Sequence, residues 1–100
     1  MQQVASINKE GVTIMHVAGG LVETYAIEML KYAKNQRMTK QNLKDAKVIV
    51  TLVYKKEEGL LEKNITGKNK AIVSGLKIID KHISEMNNRM VYIKKIKVDY

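Results

Sequence analysis

His16 and His82 are the first residues to weigh, because imidazole is both the usual proton-transfer group near neutral pH and a common metal ligand. His16 has no His, Asp or Glu three or four residues away, His82 has Glu85 alone, and the chain has no cysteine, so the spacing predicts no metal site and permits no disulfide. Ser6, Ser74 and Ser84 read as a strand residue, a helix cap and a helix surface residue, with no Ser-His-acid arrangement among them. Glu57-Glu58 is the one close carboxylate pair and reads as a solvated helix end. Val17-Ala18-Gly19-Gly20-Leu21 runs from strand to glycines to helix, a junction whose N–H groups could cradle a phosphate. It lacks the full dinucleotide fingerprint, and Thr66-Gly67-Lys68-Asn69 lacks the features of a P-loop, so a tight corner is the simpler reading. The expectation is a protein that is not an enzyme and carries no cofactor and no metal.

The remaining chemistry is charge. The net charge is +8, and sixteen of the eighteen basic residues are lysines. The excess is uneven: 29–56 carries eight basic residues against Asp45 alone, and 67–100 carries eight against three acids, whereas 1–28 and 57–66 are slightly acidic. Such a field draws polyanions. Lysine is a point charge suited to phosphate, whereas arginine forks onto base edges, so binding should lean on the nucleic-acid backbone. The competing reading is a solvated lysine-rich surface.

One hundred residues predict a single domain over 1–100, with a core built from Ile, Leu, Val, Met, Ala and Tyr because Phe, Trp and Pro are absent. The first residues, MQQVASINKEG, do not read as a signal peptide, and the longest mostly apolar stretch, 48–54, is far below the ~20 residues that span a bilayer. A cytoplasmic protein without a membrane partner is expected.

Segments 2–7 and 12–17 flank Asn8-Lys9-Glu10-Gly11 and read as a hairpin. From Leu21 the period becomes helical, with Leu21, Tyr25, Met29 and Tyr32 on one stripe, so a helix is predicted over 21–36. The two tyrosines belong to that core stripe, and Tyr92 is the ring expected at a surface or interface. Thr39 is a candidate N-cap. Segment 40–58 supports two readings. Lys40, Lys44, Lys47, Thr51 and Lys55 recur at helical spacing, which favours a helix ending at Gly59. The β-branched run 48–54 is what a buried strand would contain. Beyond it, 60–66 reads as a strand, 67–70 as a turn, 71–73 as a returning strand, 74–87 as a helix capped by Ser74, and 90–98 as a final strand.

Glu57-Glu58-Gly59-Leu60-Leu61-Glu62-Lys63, the basic turn Gly67-Lys68-Asn69-Lys70 and Ser74-Gly75-Leu76-Lys77-Ile78-Ile79-Asp80 together resemble the second half of a winged helix-turn-helix domain over 38–83, about half of the chain. The resemblance implies a recognition helix at 46–56 that presents Lys47, Thr51, Lys55 and Lys56 to the major groove, with Lys68 and Lys70 as wing contacts on the backbone. With the lysine stripe, the candidate nucleic-acid-binding set is Lys40, Lys44, Lys47, Thr51, Lys55, Lys56, Lys68 and Lys70. The expected fold is therefore α+β: winged-helix-like helices and wing, with an N-terminal hairpin and a C-terminal strand. The rival arrangement is a split βαββαβ sheet, which accounts better for 48–54 and for the last strand. The expected function is a small DNA-binding protein that binds duplex DNA as a homodimer, as a transcriptional regulator or a DNA-anchoring protein. Two alternatives stand beside it: a protein–protein module such as a small viral or plasmid-encoded inhibitor, and an RNA-binding split sheet.

Overall fold

The structure is a computed structural model that describes residues 3–4, 12–16, 20–56, 58–85 and 90–99. The elements in chain order are β1 (Gln3–Val4), β2 (Val12–His16), α1 (Leu21–Asn35), α2 (Lys40–Asp45), β3 (Lys47–Lys56), β4 (Gly59–Lys68), α3 (Asn69–Glu85) and β5 (Met90–Asp99). The strands form one antiparallel sheet in the order β1-β2-β5-β3-β4. The fold is thus α+β, and two strand–helix–strand crossovers interleave in it. The first runs from β2 through the helices to β3, passing β5, and the second runs from β4 through α3 to β5, passing β3.

The segment 46–56, expected as a recognition helix, is strand β3, and only Lys40–Asp45 of the expected 40–57 helix is helical. The strand conformation follows from burial. Val48, Val50 and Leu52 are wholly buried against the helices, while Thr51 and Val53 are buried on the other side. A strand apolar on both faces through its middle belongs at the centre of a sheet, where β-branched residues pack best. The expected wing is also absent. β4 runs straight through Gly67 and Lys68 into α3, so 71–73 is helical and Ser74 lies within the helix rather than at its cap. Gly67 permits this sharp junction, because a Cβ there would stand 3.1 Å from that of Ala71. Gly59, at φ +124°, closes the β3–β4 hairpin opposite Lys56 instead of ending a helix. The N-terminal hairpin is present as β1 paired to β2, and its turn lies outside the described residues.

The helix α1 buries the stripe its spacing dictates, Leu21, Tyr25, Met29 and Tyr32, against Ile72 and Leu76 of α3 and the inner face of the sheet. Its free N-terminal amides are satisfied from another element: Leu21 and Val22 N–H donate to the two carboxylate oxygens of Asp80 on α3, at 2.9 and 3.1 Å. Thr39 caps α2 as expected, accepting from Asn42 N–H at 3.0 Å. Asn69, the first residue of α3, ties the layer together. Its side-chain oxygen accepts from the Tyr25 hydroxyl, and its amide nitrogen donates to the Leu43 carbonyl of α2.

One extra residue decides which way β5 faces. Thr51 is paired with Lys95 and Leu52 with Ile93, so Lys94 has no opposite residue and forms a β-bulge. Without it, Val91 and Ile93 would lie on the opposite face from Ile96 and Val98, because side chains alternate along a strand. With it, Ile93, Ile96 and Val98 all enter the core, with Val91 packed against it.

Two outcomes test this architecture. Deleting Lys94 should abolish or severely weaken cooperative folding in a denaturant titration, since it turns two apolar side chains outward, each worth roughly 1.5–3 kcal/mol of burial. Lys94→Ala keeps the bulge and should cost less than ~1 kcal/mol. The second outcome concerns alkali. Burial pushes the Tyr25 phenol well above its ordinary value. The unfolded chain releases that proton near the usual tyrosine range while the native state keeps it. Stability should therefore be unaffected by this group below about pH 10 and fall above it by up to ~1.4 kcal/mol per pH unit. Tyr25→Phe should be less stable at neutral pH, with Asn69 losing a donor, but lose less between pH 9 and 11 than the native chain does in parallel melts.

Candidate nucleic-acid interface

The described helices cover one face of the sheet, and the strand register fixes which side chains stand on the other, free face. From β3 these are Lys47, Ile49, Thr51, Val53 and Lys55. Opposite them stand Lys68, Thr66, Asn64, Glu62 and Leu60 of β4, and Asp99, Lys97, Lys95 and Tyr92 of β5. Lys94, at the bulge, reaches the same face, because its Nζ lies 3.1 Å from Glu62 Oε1. Among the described residues, this face thus carries six lysines against two carboxylates.

The basic band of the face lies at one end, while Lys55, Leu60 and Glu62 are exposed at the other. Lys47, Lys68, Lys95, Lys97, Asn64 and Thr66 are exposed, with Ile49 half-buried between them. At the other end Val53 is buried and Tyr92 half-buried. Lys47 lies directly opposite Lys68, an arrangement of like charges that disfavours the bare sheet. Asp45 softens it, with an oxygen 3.9 Å from Lys68 Nζ, but both groups are exposed and the contact is weak. The Thr51 hydroxyl, expected in the major groove, is 4% exposed and donates to Asn64 Oδ1 at 2.8 Å. It is a cross-strand tie, not a contact group.

The structure separates the residues expected to act together. Lys47, Lys55 and Lys68 share the free face. Lys40 and Lys44 are exposed on α2, on the helix side, and Lys70 is exposed in the first turn of α3. The Lys56 side chain lies outside the described residues. The sequence reading missed Lys95 and Lys97, which complete the band. Their alternation with buried Ile96 and Val98 is the signal that marks them.

On the helix side, Lys40 and Lys44 border an apolar groove floored by Ala26, Met29, Leu30, Leu43 and Val73, with a volume near 330 Å³. It continues past Leu30 and Leu43 to Lys34 and Arg37. At the Gly20 junction the Leu21 and Val22 amides are already held by Asp80. His82 is exposed on α3, and the His16 side chain lies outside the described residues. Among the described residues there is no group of three His, Asp or Glu that could hold a metal, and no helix long and apolar enough to cross a membrane. Comparisons with protein-family models, with curated proteins and with solved structures found nothing that matches this chain.

The buried position of Thr51 makes a direct test. Thr51→Val should lower stability by about 1 kcal/mol, read from the urea midpoint, as the net loss of one hydrogen bond. It should leave any nucleic-acid affinity unchanged.

Proposed function

We propose that the protein binds duplex DNA through the free face of its sheet, holding backbone phosphates with Lys47, Lys68, Lys95 and Lys97. The observation that carries this reading is the exposed lysine band on a face that none of the described helices covers, in which Lys47 stands opposite Lys68 and four lysines outnumber the one exposed acid, Asp99. A polyanion removes that repulsion by occupying the band, and lysines supply point charges to phosphates without demanding a particular base. Sheet surfaces do bind nucleic acid, some by placing strands in a duplex groove and others by stacking unpaired bases on aromatic rings. Tyr92 is the one aromatic on this face among the described residues, and it is half-buried, so the stacking platform that single strands use is missing. That favours the duplex. Backbone binding of this kind suits a DNA-anchoring or regulatory protein.

A second reading has its own observation. The groove between the helices has an apolar floor and a basic border of Lys34, Arg37, Lys40 and Lys44, the complement of an acidic amphipathic segment of another protein.

Titration of duplex DNA at 50 to 200 mM salt separates the two. Four phosphate contacts imply a log–log salt slope of about −3.6 per copy of the chain, and each of Lys47→Ala, Lys68→Ala, Lys95→Ala and Lys97→Ala should flatten it by about 0.9. Lys40→Ala and Lys44→Ala should leave the slope unchanged. A slope near zero, or equal effects from Lys40→Ala and Lys95→Ala, would overturn the sheet-face reading and favour the groove.

A further inference from the structure

We infer that β4 is a dimerisation edge, on which a second copy of this chain adds its own β4 in antiparallel register to make one continuous sheet. This proposal does not rest on the DNA reading, although Lys68 enters both.

Among the described residues, β4 pairs on one side only, with β3, although it is ten residues long. Every residue from Gly59 to Asn64 is exposed, with Leu60 at 65% and Leu61 at 36%. A long open edge is a template for another strand, and proteins that stay monomeric shorten, bulge or block such edges. The β3–β4 pairing is regular along its whole length, so no bulge turns this edge away.

The occupant follows from the pattern of charge. Two copies related by a two-fold axis through the sheet pair antiparallel, and residues opposite one another must project from the same face. Only residues of like parity can therefore meet. Centring the axis on Glu62 or Lys63 sets like charges against each other. Centring it on Ile65 places Glu62 opposite Lys68 of the second copy, and Lys68 opposite its Glu62. It also places Asn64 opposite Thr66 and Ile65 against itself. Two opposite-charge pairs and two amide–hydroxyl pairs then form on the free face, on either side of an apolar centre on the helix-bearing face. The edge is complementary to itself, which favours a second copy over an unrelated strand. Gly75 of α3 lies beside Ile65, and a Cβ there would meet it at 3.6 Å, so the helix adds little bulk over the axis.

The same axis keeps both free faces on one side. The order becomes β1-β2-β5-β3-β4 followed by its mirror order in the second copy. Lys95 and Lys97 of the two copies stand five strand spacings apart, about 24 Å, across one uninterrupted basic surface.

Sedimentation equilibrium without nucleic acid tests this. The full chain at micromolar concentration should give twice its 11.4 kDa mass. Glu62→Lys and Lys68→Glu should each weaken the dimer about tenfold or more, by setting like charges opposite each other twice per interface. The double variant should restore it, and circular dichroism of each single variant should match the native chain. A monomer at all micromolar concentrations would overturn the proposal and leave the edge to an extended segment of a different protein. A dimer indifferent to both single changes, or not rescued by the double, would overturn it as well. Because no DNA is present, these results do not depend on whether the sheet face binds it.

Discussion

The bulge at Lys94 is the constraint on which the rest of the sheet depends. β5 lies between β2 and β3, so it must present an apolar row to the helices along its whole length. Its sequence places Val91 and Ile93 an odd number of residues from Ile96 and Val98, and a regular strand would turn one of those pairs to the wrong side. A single inserted residue corrects the parity. It also sets Lys94 and Lys95 side by side on the free face, where Lys94 pairs with Glu62 and Lys95 stays exposed. The device that closes the core is therefore the same one that shapes the basic surface.

The helix layer is held by polar ties as well as by packing. Asp80 occupies the positive end of α1, and Asn69 links Tyr25 of α1 to the backbone of α2. Both residues belong to α3, which packs on α1 and over β4. A carboxylate at a helix N-terminus stabilises it through the helix dipole and through its otherwise unpaired amides. This explains a glycine-containing strand-to-helix junction without a ligand: the anion that suits such a site is supplied by the chain itself.

Much of this was legible in the sequence, and the main error has a definite cause. The stripe Leu21, Tyr25, Met29, Tyr32 fixed α1, and the alternating runs near 60–66 and 90–98 located β4 and β5. Segment 40–56 misled because a spacing of four residues lies on one face of a helix and equally on one face of a strand. Lys40 and Lys44 obey the first period, and Lys47, Thr51 and Lys55 the second. The mostly apolar, β-branched run 48–54 was the better guide, since it fits a central strand buried on both sides. The α+β class and the split-sheet element order could be read, whereas the bulge, the Asp80 cap and the band of Lys95 and Lys97 depend on pairings between residues distant in the chain. No local pattern encodes those.

The character of the free face follows from what each polar side chain already does. The Thr51 hydroxyl is committed to Asn64, and Lys94 to Glu62. The exposed groups left for a ligand are mainly ammonium ions, with the Thr66 hydroxyl and the Asn64 amide between them. Four point charges around two small polar groups recognise a charged backbone far better than a base sequence. Placing Lys47 opposite Lys68 costs the isolated sheet some stability, and neither Asp45 at 3.9 Å nor the exposed Asp99 opposite Lys47 cancels it. A polyanion bound across the band converts that repulsion into attraction. Any sequence preference must then come from the shape of the duplex or from a second set of contacts, because the sheet face itself offers few groups with which to read bases.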